Sequence, residues 1–572
     1  MSKKYPWLKV AKKTDPELPF ESPLWLGNIS NGEYFHTQTE GEARMRAEIL
    51  RRGDEQARRL GMDRRQFMAS SMGMAVALTV VNETGCSKSS GGSSSAGGEA
   101  AAPACTPQGF ATPDAGSPYV VPPNATCEPS DYLSTANDFI FDVQTHCFDD
   151  GEWRTRNIVY PTFLKLIASC GAANPLDCFD PDNYAELMFV DSDTTMSVIT
   201  SWPAATCFPQ RQLLSNQALA CGLPLSNEGM RNLRDWINAR AMSQRCINQV
   251  QVMPNDFLEL QIEGMYAAMQ DPTWKCGSWK AYPAWTSDTY PNDAGYAQGY
   301  FLTDPVGRAF IEAGLTLGVP NFAIHKGLPI PGFDVTHNQP IDIGPIAKLY
   351  PEANFVIYHS GICAGTGGTP TAALDPTNTE TVPYSASTPT AMLTGVNQLI
   401  RSLIESGIVQ DPDVTKVPVS PSNVYAEMGS AWSKVMMDAN SSQHYIGKLL
   451  KYLGPNNICW GTDCVLSGSP QSQITAFKAF TITEQYQEMY GYPAITDAMK
   501  AQIFGLNAAR IYHVDPTLAR CQVNQNTFSM IKRELDGELG PNRWTVKPPL
   551  GPRTKEEFFA HAKWSRARGV PG

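Results

Sequence analysis

The chain has no Cys-x-x-Cys pair, so a zinc ribbon and a thioredoxin-type redox site are without support. It has no excess of basic residues. Its 45 Lys and Arg stand against 56 Asp and Glu, a formal net charge of −11, which argues against a nucleic-acid partner. The acidity is spread along the chain and bears on solubility more than on a substrate. No internal repeat is evident. The apolar stretch 69–81 is too short to span a bilayer as a permanent helix. Histidine is sparse, with 8 in 572 residues, so the place of each one carries information. The length alone allows several domains, and a hydrophobic content of 42% is enough for a large core.

Four short segments each end a β-like run on a group that can bind a metal or move a proton. They are Phe139–His146, Asn321–Gly327, Asn354–Gly361 and Ile458–Asp463, and the groups are His146, His325, His359 and Asp463. The apolar runs are too short for helices and rich in Ile, Val and Phe, so they read as buried parallel strands. Further strand candidates are Met196–Trp202, Gln249–Met253, Trp279–Trp285 and Asn423–Gly429. Helical patterns lie between them, at Asn227–Met242, Asp304–Leu317, Ala391–Glu405 and Trp432–Leu453. Such alternation implies a parallel sheet, and eight units imply a closed α/β (β/α)8 TIM barrel, where catalytic groups sit at the C-terminal strand ends. The Thr- and Pro-rich segment Gly365–Ala391 reads as a long loop insertion over the barrel mouth.

The phrases His325-Lys326-Gly327, His359-Ser360-Gly361, Gly461-Thr462-Asp463 and Asn507-Ala508-Ala509-Arg510 resemble the amidohydrolase superfamily. The similarity is closest to its amidohydrolase-related branch, which includes amino-carboxymuconate-semialdehyde decarboxylase. It covers roughly residues 137 to 513. The departure is at the first strand, where the family usually carries two histidines that bind metal and this chain has Gln144 and His146. A Gln carbonyl is a poorer transition-metal ligand than imidazole, which leaves metal-free working open.

The resemblance implies that His146, His325 and Asp463, with Gln144 weak, hold one divalent ion, zinc foremost. Three protein ligands suffice for a catalytic zinc with an open water position. It also implies that His359 acts as a general base or polarises the substrate, with Asp463 moving protons beside it. Glu427 ends the seventh strand and His337 follows the fifth, and both are candidates for binding substrate. The expected activity is metal-dependent hydrolysis of an amide, ester or lactone. A decarboxylase on the same scaffold and a catalytically degenerate ligand-binding barrel are the alternatives. A small-molecule substrate is the expected partner, and a homodimer is left open.

Four regions follow: a polar arm at 1–60, an export signal and Ser/Gly linker at 61–102, the barrel at 131–513 and an irregular extension at 514–572. Arg64-Arg65 before Phe67 and a soft apolar stretch look like a twin-arginine signal for the periplasm. Cys86 lies between that stretch and a flexible Ser/Gly tether, as a lipoprotein anchor does, although Glu83 stands where such a site has Leu or Val. In an exported chain, the crowding of cysteines between Cys105 and Cys276 suggests disulfides.

Overall fold

The fold is that of a computed structural model. It describes residues 139–148, 175–201, 225–285, 299–328, 333–362, 382–389, 393–409, 422–466, 468–524, 527–539 and 551–567, together with 29–30, 35–36, 40–60, 64–68, 76 and 80. Cys86, the Ser/Gly linker, Trp202 and most of Gly365–Ala391 lie outside the described residues.

All the expected strand positions are strands, each shorter than its apolar pattern. β1 is Phe141–His146, β2 Met196–Thr200, β4 Trp279–Ala281, β5 Asn321–His325, β6 Asn354–Tyr358, β7 Val424–Glu427 and β8 Ile458–Cys459. β3 comes in two pieces, Cys246–Asn248 and Val250–Gln251, parted by Gln249 alone. Every neighbouring pair is parallel. The ring closes where the chain beyond β8 meets β1. Val143 N donates to Trp460 O (3.0 Å), Asp463 N to Gln144 O (3.0 Å) and His146 N to Cys464 O (2.5 Å).

Alternation along the strands sorts the side chains. Val143, Val198, Ala323, Val356, Tyr425 and Cys459 share one cluster inside the ring. Their neighbours Trp279, Phe322, Ile324, Phe355, Ile357 and Ala426 belong to the larger core packed with the surrounding helices. This is the two-faced burial of a parallel barrel strand. The β1–β2 register shifts between Asp142 and Thr145. That irregularity changes the phase of β1, so Phe141 and Val143 pack inside the ring and Gln144 next in line also reaches the mouth.

Helices Asn227–Ala241, Pro305–Thr316 and Gly395–Glu405 fall within the expected ranges. The first is capped by Ser226, whose hydroxyl accepts from Gly229 N (3.0 Å). The expected single helix Trp432–Leu453 is two, Gly429–Val435 and Ala439–Tyr452, the second capped by Asp438. The motif Asn507-Ala508-Ala509-Arg510 fixes the start of β8. Asn507 Nδ2 donates to Pro455 O (2.7 Å) and Ile458 O (2.8 Å), and Arg510 donates to Asn456 O (2.7 Å).

Three expectations change. The chain after Tyr512 is helical at Pro516–Asn524 and Thr527–Leu539. Phe528, Ile531 and Leu535 recur at helical spacing and bury beside Phe189 and Met230, a periodic face the sequence reading passed over. Within the supposedly featureless arm, Glu40–Leu60 is a helix, and its Ile49 and Ala57 pack with Phe67 and Met68 of the short helix Arg64–Met68. Cys178 is disulfide-bonded, but Cys246 and Cys276 are thiols. No helix among the described residues is long and apolar enough to cross a membrane.

Candidate active site

Strand ends bring Gln144, His146, His325, His359 and Asp463 into one buried group at the barrel mouth. Asp463 is its centre. Its Oδ1 accepts from His146 Nε2 (2.9 Å) and from Gln144 Nε2 (2.9 Å), and its Oδ2 accepts from the Ser430 hydroxyl. Burial alone pushes this carboxyl up. The hydrogen bond and charge of His146, the charge of His359 and the Ser430 hydroxyl outweigh it and hold Asp463 well below the usual carboxylate range.

His359 is placed by backbone and carboxyl together. Its N–H donates to Glu427 Oε2 (2.8 Å), and Ser430 N donates to its ring Nδ1 (3.2 Å). The backbone donor at Nδ1 assigns the ring proton to Nε2. Burial pushes His359 down to about 3, against the pull of Asp463, so the ring is neutral at pH 7. Its Nε2 lies 3.3 Å from Gln144 Nε2, so the two side chains meet at the barrel mouth.

His325 stands edge-on to His359, with ring centroids 4.7 Å apart, and is flanked by Tyr282 (5.1 Å) and Phe333 (5.0 Å). Its Nε2 faces Leu328 O at 3.5 Å, and its buried Nδ1 has no hydrogen-bond partner. Burial, then the charges of His359 and Lys280, hold His325 well below the usual imidazole range, so Nδ1 presents a lone pair to the interior.

Strain marks the same residues. His359, Ser360 and Asp463 adopt φ of 60°, 52° and 60°, a region that side chains with a Cβ rarely occupy. Such outliers cluster at functional sites, where the surrounding structure holds them. Glycine is required beside them. A Cβ at Gly429 would lie 2.7 Å from both Gln144 Oε1 and His359 Nδ1, and one at Gly461 would overlap Glu427 Oε1.

Two expected residues do other work. Glu427 is fully buried, and its two oxygens accept from His359 N (2.8 Å) and Gly429 N (2.5 Å). It therefore positions the His359 turn and does not face a substrate. His337 is turned away from the group. Its Nδ1 lies 2.6 Å from Asp334 Oδ2, and its ring packs on Phe301 at 4.5 Å. Lys326 is structural, with Nζ 2.9 Å from Asp342 and donating to His337 O (2.7 Å). Trp432 packs in the helical core, while Tyr282 walls the site. Ser430 was missed. It has no signature beyond following a strand-end Glu-Met-Gly, and only the folded chain shows that it touches both Asp463 and His359.

The expected ion ligands are split. His146 is bonded to Asp463, while His325 packs on His359. Among the described residues, no three His, Cys, Asp or Glu side chains converge closely enough to hold one ion. Both oxygens of Asp463 are already engaged by protein donors. The residues present do not fit a three-ligand divalent site.

The architecture and this mouth define a parallel (β/α)8 barrel of the kind on which many enzymes are built. Residues 418–514 match the family model described as Amidohydrolase. Among solved structures it is similar to a 2,6-dihydroxybenzoate decarboxylase complexed with 2,6-dihydroxybenzoate, at 12% identity and a TM-score of 0.40, over 66% of this chain and 99% of the other. It is similar to a 5-carboxyvanillate decarboxylase from Sphingomonas paucimobilis at 10% identity and a TM-score of 0.38, over 66% and 99%. It is also similar to an amidohydrolase from Burkholderia multivorans with bound zinc, at 12% identity and a TM-score of 0.35, over 66% and 100%. These values are too low to transfer an activity or a metal. No curated protein matches the chain.

Proposed function

We propose that the chain is a hydrolase of the amidohydrolase-related type, acting on an amide, ester or lactone of a small molecule. The observation that carries this reading is the meeting of His359 Nε2 and Gln144 Nε2, 3.3 Å apart at a buried strand-end site. The substrate carbonyl oxygen replaces that contact by accepting from both side chains, and the charge it gains on attack is stabilised by them. His325 Nδ1 takes the proton of the attacking water. Asp463 holds Gln144 and His146 in place and remains ionised. No step needs a metal ion, because the donor set does not assemble one. The strain kept at His359 and Asp463 favours catalysis over the ligand-binding alternative.

The test is turnover of chromogenic esters, anilides and lactones by purified protein. His325→Asn should lower turnover by ~10²–10⁴-fold, the range of general acid–base catalysis. His359→Ala should lower it by about 10²–10³-fold, the loss of one oxyanion donor. Near-UV circular dichroism checks that both variants fold. Full turnover in folded His325→Asn would remove His325 as the base and sink the mechanism.

We also propose export by the twin-arginine route, read from Arg64-Arg65.

A further inference from the structure

Lys280 is the middle residue of β4, and neither the hydrolytic reading nor the packing of the core uses its amine. It is fully buried, yet its Nζ has no hydrogen-bond partner. It lies 3.4 Å from the centroid of the Tyr358 ring and 4.4 Å from that of Tyr282. Tyr358 is itself locked: its hydroxyl accepts from Gln249 Nε2 (2.7 Å) and donates to Val143 O (2.7 Å). The amine is thus held by a rigid aromatic floor and not by an acceptor. Three other unpartnered buried atoms come from neighbouring strands or just beyond them, Ser201 Oγ, Gln249 Oε1 and His325 Nδ1. Polar atoms that close on each other would pair. Left single, they are open to hydrogen bonds from a polar guest.

The ionisable groups around Lys280 are Glu427 and Asp463, which favour its charge, and His325 and His359, which share its field. Tyr282 and Tyr358 are neutral, since burial pushes both phenols well above their usual range. Burial dominates over the two carboxyls and holds Lys280 well below the usual ammonium range. A desolvated neutral lysine is the form that attacks carbonyl carbon.

We propose that Lys280 is a nucleophilic amine that captures an aldehyde or ketone as an imine inside the barrel. The Nζ lone pair forms a C–N bond to the carbonyl carbon, and the carbonyl oxygen takes up protons and leaves as water. Net, the ketone and the amine give the imine and one water. With a β-keto acid, the protonated imine accepts the electron pair of the breaking C–C bond, carbon dioxide leaves, and the enamine takes a proton at carbon. Water then releases the ketone and restores the amine. His325 Nδ1 is the unpartnered group available to relay these protons. This supplies an electron sink in a barrel whose carboxylate and imidazoles are not arranged around an ion. It is a second activity and does not rest on the hydrolytic reading.

The test uses the full chain with acetoacetate and sodium cyanoborohydride at pH 7, read by peptide mass spectrometry. One reduced adduct per chain is expected, mapped to Lys280 and formed at least ~10-fold faster than at solvent-exposed lysines, because an ammonium in water is almost wholly charged at pH 7. The adduct should be missing in Lys280→Met, which keeps the aliphatic stem against Tyr358. Adducts confined to surface lysines in wild-type protein would overturn the proposal and leave Lys280 as a strut on Tyr358. That map decides even if Lys280→Met fails to fold. Loss of hydrolysis in His325→Asn is scored separately, so the two readings fail independently.

Discussion

Replacing Asp142 by Asn should make the protein more stable, and increasingly so as the pH rises. Asp142 lies where β8 closes on β1, completely buried. Its Oδ1 accepts from Gln144 N (3.1 Å) and Thr462 N (3.1 Å), and its Oδ2 from the Thr462 hydroxyl. Those bonds favour the charged form but do not match the desolvation, and burial lifts the carboxyl from 3.8 to about 7. In the unfolded chain it ionises near its ordinary value. A raised folded value means that the folded state holds the proton more tightly. The stability this lends is fully present below about 4 and is lost as pH rises through about 7. The lift of about three units, at ~1.4 kcal/mol each, is worth ~4 kcal/mol once Asp142 is ionised in both states. Asn keeps the two backbone donors on its oxygen and offers its amide to the Thr462 hydroxyl, so it carries none of this pH dependence. Urea unfolding at pH 5 and pH 8 measures it. The gap between Asp142→Asn and wild type should widen by roughly 3 kcal/mol between those pH values, from the same slope per unit. A gap that does not change with pH would show that Thr462 and the two N–H groups hold Asp142 ionised, and the account of β1–β8 closure would be wrong.

Other outcomes follow from the same geometry. Gly429→Ala puts a Cβ 2.7 Å from Gln144 Oε1 and His359 Nδ1 at a φ of +37°, so it should abolish turnover and cost about 1–3 kcal/mol in urea unfolding. Gln144→His supplies a second imidazole on the β1 face, and zinc retained after dialysis should rise from well below one ion per chain towards one. Unchanged zinc content in that variant, or a full equivalent in wild type, would contradict the split-ligand description. Arg64→Lys with Arg65→Lys should block export, because the receptor reads guanidinium pairs; periplasmic accumulation of the double variant would exclude this segment as the signal.

By itself the sequence determined where the strands lie and which of them end on His146, His325, His359 and Asp463. Short apolar runs between helical patterns fix a parallel barrel, because only burial on both faces suits such strands. It also placed Gln144 where the family it resembles carries a histidine. Which of those groups touch, and what each can do, was decided by tertiary structure. The register shift in β1 brings Gln144 to Asp463. Ser430 sets the tautomer of His359 from a turn that no motif marks. His325 is parted from the candidate ligands His146, Gln144 and Asp463 by strand-end positions that spacing along the chain does not encode. Glu427 looked like a mouth carboxylate, yet its oxygens belong to two backbone donors. Only enclosure among Tyr282, Tyr358 and the other strands strips Lys280 of acceptors. The physical reason is the same throughout. Hydrophobic period is local and survives in one dimension, whereas tautomer, charge state and ligation depend on partners tens to hundreds of residues away.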